Sequence, residues 1–244
     1  MAEKQNPEKN GRGGSLLRRM EVFQICDSTF PIGTFNHSFG MENYLRDNRI
    51  RKAPQLRVWI TNYYRSQFQY GEGLLTILCF RAIEAGEPEK IVAYDDLLTR
   101  STLALETRNG TKLIAKQMLT LVKKIHEGSI PHLCSYEEAI KTGRAFGNPA
   151  AVFAIFAHAS GMTEEETFLM YGYSVASTLV QNAVRSIPLG QKEGQLILRE
   201  IIDLLGDLYE KATVLDESML GASSPGLELA QICHETQEAR LFMS

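Results

Sequence analysis

Asn36-His37-Ser38-Phe39-Gly40 sets a serine beside a histidine in a glycine-bearing turn, and nucleophilic catalysis is the chemistry such a string could do. A nucleophile elbow needs a strand ahead of the serine and small residues around it, because the turn is strained. Asn36 stands where the first glycine belongs, and no strand pattern precedes it. A small helical hydrolase or metal-dependent enzyme using His37 and Ser38 is therefore the alternative reading. A phosphate-cradling loop would read Gly-x-x-x-x-Gly-Lys-Ser/Thr. Gly110-Thr111-Lys112 lacks the upstream glycine, and Gly11-Arg12-Gly13-Gly14 follows no strand. Among the five histidines, only His132-x-Cys134 and Cys233-His234 form close soft-ligand pairs, and neither has the spacing of a structural zinc site. Cys233 and His234 stay as weak candidates for a transient metal contact, and His158 reads as a core histidine. Asp95-Asp96 and Glu164–Glu166 read as carboxylates near helix starts, where the helix dipole favours them.

Helices position all of these residues. Leu56, Trp59, Ile60, Tyr63, Tyr64 and Phe68 fall on one face of a helix beginning near Pro54, where proline's missing N–H costs nothing. Leu113, Met118, Leu121, Val122 and Ile125 form a second stripe, stopped by Gly128 and Pro131. Ser135-x-x-Glu138 and Thr163-x-x-Glu166 read as capping boxes. Asn148-Pro149 supplies an N-cap and first helical residue, and Gly161 a left-handed stop. The helix after Thr163 must end before Pro188, and a further one spans Gln195–Val214. Gly221–Gly226 breaks the pattern ahead of a short helical segment. Period-two alternation is scarce. The expectation is an all-α, single-domain bundle of about eight to ten helices with no significant sheet, spanning residues 16–244 behind a disordered tail over residues 1–15.

At 44% hydrophobic residues the chain has ample material for a core, since a chain this long buries roughly 70–75% of its unfolded surface. A formal charge of −3 gives no basic footprint for nucleic acid. Ala145–Thr163 and Thr167–Val184 lack formal charge, but Pro149, Gly161 and a set of Ser, Thr, Gln and Asn side chains argue for buried central helices over membrane spans. No apolar leader opens the chain, which points to the cytoplasm, to reduced thiols, and to Cys26, Cys79, Cys134 and Cys233 as small buried hydrophobes.

Polar and glycine-rich strings remain that no core requires. Asp27–Glu42 (DSTFPIGTFNHSFGME) strongly resembles the N-terminal signature of the UreF family of urease accessory proteins. Ala104–Arg108 looks like that family's mid-chain motif, Ala183–Gln191 with Gly194-Gln195 is similar to its "PLGQxxGQ" segment, and Arg240–Ser244 to its "RLFxS" close. The resemblance implies an all-α, often dimeric protein without catalytic chemistry. It implies binding to a UreD/UreH-type accessory protein, recruitment of the GTPase UreG, and contact with apo-urease, so that nickel is delivered to the urease active site. Nickel and GTP are then used by the complex, not held by this chain. The partner-binding candidates are Phe35, His37, Ser38 and Glu42 in an exposed turn, Arg185, Ser186, Pro188, Gln191 and Gln195 on a rim, and Arg240, Leu241 and Phe242 in an ordered, partner-facing segment. Arg185 or Arg240 could also modulate GTP hydrolysis by UreG, as an arginine supplied in trans can.

Overall fold

The computed structural model describes residues 12–126, 129–222 and 224–244, with side chains from Leu16 onward. Eleven α-helices appear among the described residues, and no strand. They are α1 Arg12–Cys26, α2 Met41–Arg46, α3 Ala53–Tyr63, α4 Glu72–Glu84, α5 Lys90–Ser101, α6 Leu105–Ile125, α7 Leu133–Lys141, α8 Pro149–Ala159, α9 Glu164–Ser186, α10 Gln191–Ala212 and α11 Pro225–His234. The chain is all-α, as expected, with the six-residue α2 taking the number past ten. Helix α1 begins at Arg12, ahead of the expected boundary at Leu16; residues 1–11 of that expected tail lie outside the described residues.

Residues Pro149–Ala157 of α8 are all buried, and α9 packs against α1, α4, α8 and α10. The two uncharged stretches are thus the central helices. No helix among the described residues is long and apolar enough to cross a membrane. Phe68, Phe153, Phe168 and Tyr171 meet ring to ring between these helices at centroid separations of 5.4–6.4 Å. Each such side chain, moved out of water, contributes about 1.5–3 kcal/mol.

Local expectations held where a cap satisfies orphan N–H groups. Asn148 Oδ1 accepts from the Ala150 N–H at 2.9 Å, Thr163 and Glu166 form the reciprocal box, and Gly161 stops α8 at φ 76°. Other expectations need correction. Ser135 and Glu138 form no box, because α7 starts three residues earlier, led by His132 in a left-handed conformation, with Leu133 and Tyr136 buried. Leu113 is exposed, since the buried stripe of α6 runs through Ile114, Ala115, Met118, Leu119 and Val122. The long helix expected from Gln195 starts at Gln191. Helix α3 gives way at Tyr64 to one π-helical turn, Tyr64–Phe68, before α4.

Asp95 departs furthest from its reading. It lies inside α5, fully buried, so the dipole at a helix start does not account for it. Its Oδ2 accepts from the Phe146 and Gly147 N–H groups, both at 2.8 Å, and from the Tyr136 hydroxyl at 3.1 Å, while Thr99 donates to Oδ1 at 3.1 Å. Tyr136 in turn accepts from the Asn148 N–H at 3.0 Å. The carboxylate therefore ties down the connection that leads into α8.

Two of the four cysteines, Cys26 and Cys79, are buried as expected, and burial pushes the Cys26 thiol up to about 12. Cys134 is exposed and Cys233 half-buried.

Candidate functional site: a junction closed by residues 240–244

The turn before α2 and the closing segment Arg240–Ser244 pack on each other. Gly40 (φ 92°) leads directly into α2, and a Cβ there would also meet Gln231 and Leu227 of α11 at 3.0 and 3.1 Å, so glycine serves both the turn and the approach. With the turn so shaped, the Ser38 N–H donates to the Ser244 carbonyl (2.6 Å) and the Met243 N–H to the Asn36 carbonyl (2.7 Å). His37 Nδ1 lies 2.7 Å from Ser244 Oγ.

Glu42, in the first turn of α2, holds the rest. Its Oε1 accepts from the Leu241 N–H at 2.5 Å, and its Oε2 from the Phe242 N–H at 3.0 Å and from His234 Nε2 at 2.9 Å. The other nitrogen of His234 lies 2.7 Å from Glu106 Oε2, and Arg240 reaches Glu106 Oε1 at 2.5 Å. Two carboxylates thus face one histidine ring and one guanidinium. Burial alone would raise the Glu106 pKa, but hydrogen bonds from His234 and Arg240 outweigh it and hold the carboxyl below its usual value. His37 takes up a proton less readily than an ordinary imidazole, first because it is desolvated and second because His234 is close.

A further cation closes the other side. The Arg185 guanidinium stacks 3.5 Å above the Phe35 ring centroid and 5.2 Å from that of Phe242. It donates to the Phe35 carbonyl (2.5 Å) and to Asn182 Oδ1 (2.9 Å), and Asn182 Nδ2 donates to the His37 carbonyl at 2.9 Å. Planar guanidinium on aromatic rings, with its N–H groups on fixed acceptors, is an arrangement lysine could not reproduce.

The structure brings Phe35, His37, Ser38, Glu42, Arg185, Arg240, Leu241 and Phe242 together, but not all at the surface. His37 and Ser38 are 5% and 0% exposed, contrary to the exposed turn expected for them, because residues 240–244 cover them. Glu42 and Phe242 are buried as well, whereas Phe35 and Leu241 are 39% and 59% exposed. Ser186 Oγ donates back to the Asn182 carbonyl. Pro188 is exposed in the α9–α10 connection, and Gln191 and Gln195 are exposed in the first turns of α10. The hydrolase arrangement is not assembled, since His37 faces Ser244 while Ser38 Oγ accepts from the Glu42 N–H at 3.3 Å. Cys233 and His234 do not converge: both His234 nitrogens are occupied by carboxylates, and Cys233 lines a different pocket. Among the described residues there is no group of three or more His, Cys, Asp or Glu side chains able to hold a metal ion.

Sequence reasoning missed Asn182, Glu106 as an ion partner, and the whole role of His234. Glu106 lay within a noted string; Asn182 carried no local signal, being one polar residue in an apolar helix.

Gly110 of α6 lets the His37 ring sit against the helix, since a Cβ there would fall 2.7–2.8 Å from the ring's Cε1 and Nδ1. Because that ring is buried and bonded to Ser244, it has nowhere to go. Gly110→Ala is expected to destabilise the fold by about 2 kcal/mol through overpacking, read by urea unfolding; an unchanged midpoint contradicts the close fit.

Beside the junction, two small cavities of about 60 and 30 Å³ meet at Phe39 and Glu72. Desolvation raises the Glu72 carboxyl to about 7, against a hydrogen bond from Tyr171 that lowers it. Since the folded state holds the proton more tightly than the unfolded chain, the contribution of Glu72 to stability is fully present below about pH 4.5 and is lost as pH rises through about 7. Glu72→Gln is expected to abolish that loss, raising stability at pH 8 relative to pH 5 by at most about 3 kcal/mol. Parallel pH-dependence of variant and parent in denaturant titrations would refute it.

Fold and junction together define a helical protein whose distinctive polar residues are spent on holding its own segments together. The UreF family model matches residues 50–202. The chain is 51% identical over 230 residues to the urease accessory protein UreF of Streptococcus salivarius (strain 57.I), covering 94% of this chain and 96% of that protein. Against that of Bacillus sp. (strain TB-90) it is 41% identical, covering 94% and 100%, and against that of Lachnoclostridium phytofermentans 36%, covering 92% and 98%. The chain belongs to the UreF family of urease accessory proteins.

Proposed function

We propose that this chain is a non-catalytic scaffold in urease maturation: it binds a UreD/UreH-type protein and recruits the GTPase UreG to apo-urease, so that nickel reaches the urease active site. One observation carries the reading. Four separated strings, around His37, Glu106, Arg185 and Arg240, converge on a single junction whose outer side presents apolar groups. Phe35, Leu241 and Met243 are 39%, 59% and 59% exposed, and Leu105, adjacent to Glu106, is 50% exposed. Exposed apolar groups around a rigid, charge-closed centre suit a partner surface. The relatives, named as urease accessory proteins, supply the process. In this reading the chain pairs with a second copy in the assembly, works in the cytoplasm and holds neither nickel nor GTP itself.

Deletion of the chain in a urease-producing cell, followed by nickel analysis of the purified urease, tests the process; fully loaded urease would overturn it. Arg240→Ala is expected to reduce UreG recovered with the UreD–UreF–UreG assembly about tenfold, because Arg240 fixes the segment that carries Leu241. Undiminished UreG in that pull-down removes Arg240 from the recruiting surface. A part for Arg185 or Arg240 in GTP hydrolysis requires the guanidinium to leave Phe35 or Glu106. Unaltered UreG GTPase rates with both alanine variants would dismiss that part.

A further inference from the structure

Helix α11 brings His234 to the junction, and its Leu227, Ala230 and Cys233 line one wall of a neighbouring groove. The far wall of that groove is α2, the connection 47–52 and α3. One end is a hollow of about 500 Å³ lined by Tyr44, Trp59, Tyr63, Leu227 and Val58, the last 63% exposed. Trp59 and Tyr63 stack at 5.7 Å, with Tyr44 edge-on to Trp59 at 6.2 Å, so the hollow has rigid aromatic walls. The other end, of about 140 Å³, is lined by Asn43, Arg46, Arg49, Ala230 and Cys233. Tyr44 and Arg49 line both, the guanidinium lying 4.6 Å over the Tyr44 ring.

Two observations specify what would lie there. Residues 46–52 carry Arg46, Arg49, Arg51 and Lys52 against one acid, Asp47, in a chain whose net charge is −3. Among the described residues Arg46 pairs only with its neighbour Asp47, and no carboxylate pairs with Arg49, Arg51 or Lys52. A groove whose lip carries cationic charge in excess of its one acid, with Arg49 left without a carboxylate, calls for further carboxylates. Second, Asn43 is 5% exposed, and its Oδ1 has no hydrogen-bond partner although its Nδ2 donates to the Ala230 carbonyl. A buried acceptor left unpaired is costly, and a donor brought by a ligand would satisfy it. A peptide offers all three features at once: an apolar side chain for the hollow, acidic side chains for the arginines and a backbone N–H for Asn43. We infer that this groove binds an acidic peptide segment of a partner protein, with a large aliphatic or aromatic residue anchored against Trp59 and Val58 and carboxylates on Arg46 and Arg49.

The inference stands apart from the junction and from the reading built on it, because none of residues 240–244 lines the groove. The test is selection of a displayed library of random short peptides on the full chain. In parallel, selection is run on an Arg46→Glu/Arg49→Glu variant and a Val58→Asp variant, whose thermal unfolding is measured to verify the fold. All three positions are exposed, so folding should survive the changes. Enriched peptides are then titrated against the fluorescence of Trp59, the chain's one tryptophan. Expected are sequences with an apolar anchor within about four residues of two or more Asp or Glu, and saturable fluorescence changes. Each variant should weaken binding about tenfold or more, and so should raising salt from about 0.05 to about 0.5 M. An absence of binders, binders without acidic residues, or affinities indifferent to both folded variants would overturn it. So would sedimentation showing that the parent chain dimerises through this groove and that Val58→Asp abolishes the dimer.

Discussion

Asp95→Ala is expected to lower stability by about 4 kcal/mol and the melting temperature by roughly 12 °C. The substitution removes the acceptor for the Phe146 and Gly147 N–H groups and for the Tyr136 and Thr99 hydroxyls, all in a place water does not reach. Desolvation raises the Asp95 pKa, and the four donated bonds draw it part of the way back, leaving it above the usual aspartate value. The charge is therefore held by its donors alone. Those donors in turn fix Asn148, which caps α8, so the loss spreads to the central helix. Asp95→Asn keeps one acceptor but points an N–H₂ at a donor, and falls between parent and alanine. Urea and thermal unfolding measure both, and a melting temperature within about 2 °C of the parent would show that α8 does not depend on this carboxylate.

Glu42→Ala is expected to release residues 240–244 while most of the bundle stays folded. Three donors lose their acceptor: the Leu241 and Phe242 N–H groups and His234 Nε2. Hydrogen bonds to a charged acceptor contribute about 1.5–3 kcal/mol each, and a freed segment recovers part of that by meeting water. A net loss of about 3 kcal/mol corresponds to roughly a hundredfold fall in hydrogen-exchange protection at Leu241 and Phe242. Amides of α8 and α9 should keep their protection, because the Glu42 carboxylate bonds to Leu241, Phe242 and His234 and to neither helix. If the reading of the junction as a partner surface holds, the same variant also loses assembly with the UreD-type protein. Unchanged exchange at Leu241 and Phe242 would show that Glu42 does not anchor the segment.

The all-α class, the two central uncharged helices, the Asn148 and Thr163 caps and the Gly161 stop were legible in the residues themselves. Each rests on a local rule: apolar spacing near 3.6 residues, or a side chain reaching an orphan N–H a few positions away. The strings around His37, Arg185 and Arg240 were legible too, since glycine, proline and arginine recur there without a core's periodicity. What they do could not be read locally. His37 meets Ser244 across 207 positions and Glu42 meets Phe242 across 200, so whether His37 faces solvent depends on where the last residues return. Asp95 misled for the same reason: three of its four donors lie 41 to 52 positions away, and from sequence it is only an acid in an amphipathic helix.

By itself, then, the sequence determined which segments are helical, which of them must be central and which strings are not there for packing, because those properties arise between residues a turn apart. Only the tertiary structure decided that four of those strings close on one another, that Glu42 and Asp95 are anchors, and that α11 helps line both a charge-closed junction and a cationic groove. Pairing over long separations is set by the packing of the whole bundle, and no periodicity within a single helix encodes it.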